Sequence, residues 1–166
     1  MTERIMVIGR PGSGKSTYTR KLHQRTGMPL HHLDRYFFLA NWVERDEADF
    51  LSIQQKMVDG ERWIIDGNCI ASFEMRYQRA TTCLYFNYPR SVCYYRILKR
   101  LLQKKSTADR AEGCKEVVRW PFIKYIWGFH KRVAPRVEAL RTKYPAVKFV
   151  EISSDAALRQ LASEIE

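Results

Sequence analysis

Gly9-Arg10-Pro11-Gly12-Ser13-Gly14-Lys15-Ser16 carries the spacing of a phosphate-binding P-loop: a Gly, four residues, then Gly-Lys-Ser or Thr. The chemistry explains the residue types. Glycines let consecutive backbone N–H groups curl around a polyphosphate without Cβ clashes, and the amino terminus of a following helix adds the positive end of its dipole. In such a loop Lys15 reaches the β- and γ-phosphates of ATP and the Ser16 hydroxyl holds Mg²⁺, so the candidate nucleotide-binding set runs from Gly9 through Thr17.

A P-loop also needs a carboxylate at the metal, normally an Asp ending a neighbouring strand. Arg62-Trp63-Ile64-Ile65-Asp66 has that form, apolar residues running into one carboxylate, which makes Asp66 the second metal candidate beside Ser16. Asp34 is expected at the end of another strand, in His31-His32-Leu33-Asp34-Arg35. The carboxyl ends of strands form the ligand crevice of an open α/β sheet, where a carboxylate can orient an acceptor hydroxyl, accept its proton or bind a metal water. Its competing explanations are a helix N-cap and an ion pair with Arg35. His31 and His32 invite a metal reading, but adjacent strand residues point to opposite faces and no third ligand is in register, so one core and one surface histidine are expected. Arg96 and Arg100 stand four apart, hence on one helix face, and a guanidinium pair facing a phosphate site neutralises charge on a transferring group.

These residues need elements to hold them. Ile5-Met6-Val7-Ile8 is a short apolar run ending in Gly9, the pattern of a strand buried on both faces. A helix is predicted over 16–25, a strand over 30–33, an acidic helix over 47–58 closing at Gly60, and strands over 63–65, 83–86 and 147–152. Helical patterns at 91–104 and about 116–140 flank a polar segment, 105–115, that reads as a mobile loop. Phe122, Ile126, Phe129, Val133, Val137 and Leu140 recur at spacings of three and four, so core packing is expected for the aromatic-rich helix. Strands alternating with helices imply an α/β fold with a parallel sheet covered on both faces, and 166 residues fit one domain spanning the whole chain.

Lysine and arginine total 29 against 18 acidic residues, leaving +11, which favours an anionic partner: phosphorylated ligand, nucleic acid or anionic surface. Residues 1–89 carry twelve basic and ten acidic side chains, 90–148 sixteen and four, and 149–166 one and four, so the excess sits in the middle stretch. That stretch gives weak nucleic-acid binding a physical basis. Cysteines 69, 83, 93 and 114 form no Cys-x-x-Cys pair, which argues against a zinc ribbon and fits reduced thiols in a cytoplasmic protein. The Ile5 to Ile8 run is too short for a signal peptide, and Arg119, Pro121 and Lys124 break the most apolar later stretch, so no membrane role is expected.

With these motifs in place the chain resembles adenylate-kinase-like P-loop kinases and, more narrowly, the family labelled DNA topology modulation proteins. The narrower resemblance rests on His32-Leu33-Asp34, Trp42, Trp63-Ile64-Ile65-Asp66-Gly67-Asn68 and Glu112-Gly113-Cys114-Lys115-Glu116. It implies a three-layer P-loop kinase fold whose five-stranded parallel sheet has the order 2-3-1-4-5, with Asp66 as the Mg²⁺-side carboxylate and a small helical lid near 105–115. Two positions depart from the family pattern: Cys69 stands where an aromatic is expected, and Thr107-Ala108-Asp109 lacks an arginine two positions before Asp109, a role open to Arg110. The implied activity is ATP- and Mg²⁺-dependent phosphoryl transfer to a small acceptor, for which a nucleoside monophosphate is one candidate. Lys15, Asp34, Arg96 and Arg100 are then the catalytic candidates. The Asp-Gly-Phe-Pro-Arg step of adenylate kinase is replaced here by Asp66-Gly67-Asn68-Cys69-Ile70. The alternative is an ATP-binding, DNA-associated protein that transfers little phosphate.

Overall fold

Arg4–Gly9 (β1) is the centre from which the sheet is built, and from Ile5 onward each of its residues is buried. The computed structural model describes residues 3–38, 43–102 and 120–164. Among them β1 is followed by α1 (Lys15–Thr26), β2 (Leu30–His32), α2 (Leu33–Phe37), α3 (Glu47–Val58), β3 (Trp63–Asp66), a 3₁₀ turn (Ile70–Ser72) and α4 (Phe73–Tyr77). Then come β4 (Thr82–Phe86), α5 (Arg90–Leu102), α6 (Trp120–Lys143), β5 (Lys148–Ile152) and α7 (Asp155–Glu164). The strands form one parallel five-stranded sheet in the order β2-β3-β1-β4-β5, as the resemblance implies.

Alternation along β1 divides the core in two. Met6 and Ile8 face the side covered by α3, α4 and α6, packing with Phe50, Tyr77, Phe129 and Val133. Ile5 and Val7 face the other side, with Tyr18 and Leu22 of α1, Cys93 of α5 and Leu161 of α7. Strands with two covered faces read as continuous apolar runs, which is why β1, β3 and β4 are apolar almost throughout. The spacing expected in α6 holds from Ile126 through Phe129, Val133, Val137 and Leu140, which are buried, but Phe122 is only half-buried and Trp120 and Trp127 are exposed, so of the helix's aromatics only Phe129 is fully in the core.

The sheet order fixes where a ligand can bind. The chain leaves β1 toward β3 and β2 on one side and returns to β4 and β5 on the other, so the carboxyl end of β1 is the topological switch point. Gly9 and Asp66 lie at that edge, with Val7 paired to Asp66 across the β1–β3 ladder. One boundary matters for the site. β2 ends at His32, a residue earlier than expected, and α2 starts at once, so Asp34 leaves from the first turn of a helix and not from a strand end. The lid expected near 105–115, with Arg110, lies outside the described residues, as do Trp42 and the Glu112 to Glu116 segment. No helix of the described residues is long and apolar enough to cross a membrane.

Candidate active site

The β1–α1 loop lies against α5 so tightly that its middle tolerates no side chain. Gly12 has φ +80°, and a Cβ there would sit 2.6 Å from the Cys93 carbonyl oxygen and 2.9 Å from Ile97 Cγ1. A glycine is the residue that satisfies both the positive φ and the contact. The Ser13 amide donates to the Arg10 carbonyl at 3.2 Å and closes the curl. The Lys15 ammonium is buried and donates to that same Arg10 carbonyl at 3.3 Å, so its charge is folded inside the loop. Arg10 itself turns away. Its guanidinium donates to the Tyr88 carbonyl and lies 6.0 Å from the centre of the Phe129 ring, while its N–H donates to the Phe86 carbonyl at 3.3 Å. Arg10 thus pins the loop to the end of β4 and to α6.

Ser16 and Asp66, assigned to one metal from sequence, meet directly: Ser16 Oγ donates to Asp66 Oδ2 at 2.8 Å. The same oxygen faces His32 Nδ1 at 3.0 Å, both side chains being nearly inaccessible. The other oxygen, Oδ1, is buried and has no hydrogen-bond partner among the described residues. An orphaned buried carboxylate oxygen beside a hydroxyl is a donor set suited to a hard, oxygen-seeking divalent cation. No group of three or more His, Cys, Asp or Glu among the described residues forms a protein-only chelate. His32 was expected to be a bland core or surface residue. It is buried, but it contacts the candidate metal carboxylate, a role that adjacent-face alternation alone does not reveal.

Two further residues hold the turn after Asp66. Asn68 clamps the start of the loop: its Nδ2 donates to the Gly9 carbonyl at 2.9 Å and its Oδ1 accepts from the Gly9 N–H at 3.1 Å. Gly67 allows the turn to pack on α2, since a Cβ there would lie 2.6 Å from Leu33 Cβ. Beneath the turn lies Arg76, fully buried, donating to the Gly67 carbonyl at 3.0 Å, the Cys69 carbonyl at 2.8 Å and Ser72 Oγ at 3.1 Å. Burial pulls its guanidinium down to about 10, opposed by Cys69, Cys83 and Asp66, so it stays charged at neutral pH. Arg76→Ala should strand the Gly67 carbonyl, take one of the two donors from the Cys69 carbonyl and open a cavity. The expected destabilisation is about 3–5 kcal/mol. For a chain of this length the melting temperature should fall by about 6–20 °C. An unchanged melting curve would contradict this role.

Asp34 is exposed on the first turn of α2 and lies within electrostatic reach of the Tyr125 hydroxyl from α6. Burial pushes the Tyr125 hydroxyl up, with the Asp34 charge adding to it and the nearby Asn68 side chain opposing. Arg132 folds back over the same ring, its guanidinium 4.7 Å from the ring centre and donating to the Tyr125 carbonyl at 2.7 Å. Asp34, Asn68 and Tyr125 therefore gather beside the loop on the β2–β3 side.

On the opposite flank Arg96 meets the loop, as expected, though in a different way. It donates to the Ser13 carbonyl at 2.9 Å and to Asp155 Oδ1 at 2.7 Å, with its guanidinium 4.7 Å from the centre of the Tyr88 ring. Burial is the largest single influence on Arg96 and lowers it, but the hydrogen bond and charge of Asp155, with Tyr88, together outweigh it and hold Arg96 above the ordinary arginine value. Arg96 thus ties α5, the loop and α7 together. Arg100 is half-buried one turn further along α5.

Compared by sequence, the chain matches no protein-family model and no curated protein. Solved structures do resemble it. Shikimate kinase from Bacteroides thetaiotaomicron superposes with a TM-score of 0.59 at 16% identity, covering 98% of each chain. Deoxyadenosine kinase from M. mycoides, solved with dCMP and dCDP, superposes with a TM-score of 0.53 at 12% identity, covering 98% of this chain and 97% of that one. At such identities the likeness concerns architecture: the chain has the α/β fold of P-loop kinases.

Proposed function

We propose that the chain is an ATP- and Mg²⁺-dependent phosphotransferase acting on a small acceptor, with a nucleoside monophosphate the first to test. The observation that carries this reading is the Ser16–Asp66 contact at the mouth of a P-loop, with one buried carboxylate oxygen left over. Ser16 and Asp66 are the residues that would hold the metal. What the metal supplies when bound is charge neutralisation across the β- and γ-phosphates. Lys15 exchanges the Arg10 carbonyl for phosphate oxygens, the loop amides cradle the polyphosphate, and Arg96 keeps the Ser13 peptide in place. Arg100 is assigned to charge on the transferring group. Asp34 accepts or orients the proton of the acceptor hydroxyl, beside Tyr125 and Asn68. Such catalysis consists almost entirely of positioning and electrostatics. The resemblance of the His32-Leu33-Asp34 and Trp63 to Asn68 segments to DNA topology modulation proteins supports placing the chain near that family, and a cytoplasmic location is part of the same proposal.

A second reading has one observation behind it. Trp120 and Trp127 are 66% and 63% exposed on α6, with Lys124 and Arg90 over their rings, in the stretch that holds the excess positive charge. Aromatic and cationic groups so arranged suit an ATP-binding protein associated with nucleic acid. The deciding experiment measures ADP release from ATP and Mg²⁺ against a panel of nucleoside monophosphates, nucleosides and small metabolites, alongside duplex DNA affinity across salt. Acceptor-dependent ADP release supports the kinase. Duplex binding tighter than micromolar at physiological salt, with no acceptor in the panel phosphorylated, overturns it in favour of the second reading.

A further inference from the structure

His32 is placed by three constraints that have nothing to do with one another. It closes the three-residue strand β2 and pairs with Asp66 in the parallel β2–β3 register, so the two side chains emerge side by side on one face of the sheet. Its backbone, at φ −89° and ψ 109°, occupies the N-cap position of α2, which fixes where the residue stands along the chain. Next to it the Leu33 side chain is packed so closely on Gly67 that the ends of β2 and β3 cannot drift apart. An N-cap side chain commonly bonds the amides of its own helix; that of His32 makes no such bond and is directed at Asp66 Oδ2 instead. A carboxylate only accepts, so Nδ1 carries the proton and donates it. Ser16 Oγ donates to the same oxygen. Both donors thus converge on Oδ2, and Oδ1 is left buried and without a partner among the described residues.

We propose that His32 is a positioning residue for the metal subsite: with Ser16 it saturates one oxygen of Asp66, and thereby sets the carboxylate plane that presents the other oxygen to a divalent cation or its bound water. The inference rests on the reading of Asp66 as the metal-side carboxylate. Without the imidazole, the Asp66 side chain is free to rotate about its last bond and to swap its two oxygens, and the hydroxyl of Ser16 loses its fixed counterpart. Outer partners that orient a ligand in this way typically change metal affinity by 10–100-fold when removed.

The test separates metal from nucleotide. Calorimetric affinity for ATP is measured with Mg²⁺ and, separately, with a chelator, and the ratio of the two is the readout; no acceptor is needed. The expected result is that His32→Phe, which keeps ring volume but no donor, lowers that ratio by about 10–100-fold with little change in metal-free ATP affinity. His32→Asn, whose amide nitrogen takes the place of Nδ1, should recover most of it. Mn²⁺ in place of Mg²⁺ gives a second readout, since relaxation of water protons by the bound ion reports its site directly. Melting curves accompany each variant, and His32→Ala carries the same expectation if the Phe variant does not fold. An unchanged ratio overturns the proposal, and so does an equal loss of affinity with and without metal, which is what a merely structural histidine would give. Wild-type protein that gains no affinity from Mg²⁺ overturns it together with the metal role of Asp66. Failure of the phosphotransferase reading looks different: the wild type gains affinity from Mg²⁺, the His32 variants lose that gain, and no acceptor is turned over.

Discussion

Lys15→Ala should lower acceptor-dependent turnover by on the order of 10² to 10³ or more, the scale for removing one preorganised charge from a reacting group, while the protein stays folded. The expectation of an intact fold comes from what Lys15 touches. Its ammonium makes one hydrogen bond, to the Arg10 carbonyl at 3.3 Å, and its side chain belongs to neither apolar cluster of the core. Truncation therefore removes a point charge from the phosphates and leaves the loop held by Asn68, Arg96 and the Gly12 contact with α5. Coupled-assay turnover together with a melting curve is the measurement, and full activity in the variant would end the assignment of this loop to phosphoryl transfer.

The second large effect separates two carboxylates to which the sequence assigns different roles, Asp66 to the metal and Asp34 to the acceptor. In Asp66→Asn the amide keeps the shape of the side chain. If its oxygen stays with Ser16 and His32, its NH₂ donors stand where Oδ1 offered an acceptor. The Mg²⁺ concentration for half-maximal activity should rise by on the order of 10². Asp34→Asn should leave the Mg²⁺ and ATP dependences nearly unchanged and lower kcat by roughly 10² to 10⁴, the range for loss of a general base. The structural grounds are separate locations: Asp66 is buried against the loop, whereas Asp34 is exposed on α2 near Tyr125. Titrating Mg²⁺ and ATP on both variants is the check. Identical profiles for the two would show that their roles are not divided in this way.

What the sequence made legible here is whatever depends on local backbone chemistry. The loop from Gly9 to Ser16 is defined by glycines that must curl, and Asp66 by an apolar run that ends in one carboxylate, so both were readable without neighbours. The sheet order followed from the resemblance, and the burial of α6 from its spacing. Illegible were the contacts between elements distant in sequence. His32 meets Asp66 across 34 positions because two parallel strands end in register, and neither strand announces that register. Arg96 looked like a free guanidinium for phosphate, yet it bonds Asp155 across 59 positions, at the start of a helix that no local pattern aims at the loop. Arg76 gave no signal either, being one arginine in a short helix until the fold buries it under the turn at 67–69. The placement of Asp34 failed for a smaller reason: α2 starts a residue sooner than the apolar pattern of β2 suggests, so the carboxylate projects from a helical turn.

The paired hydrogen bonds between Asn68 and Gly9 carry a thermodynamic meaning of their own. One side chain grips both the N–H and the C=O of the first loop residue, and it follows Asp66 by only two positions, so the two halves of the site share a single rigid joint. Ordering one half then lowers the entropy still to be lost by the other. Such sharing is reciprocal: whatever factor polyphosphate gives to cation affinity, the cation must return to polyphosphate affinity. Asn68 is one physical link between the two halves, and Asn68→Ala should shrink that common factor, read as a smaller gain in ATP affinity on adding Mg²⁺.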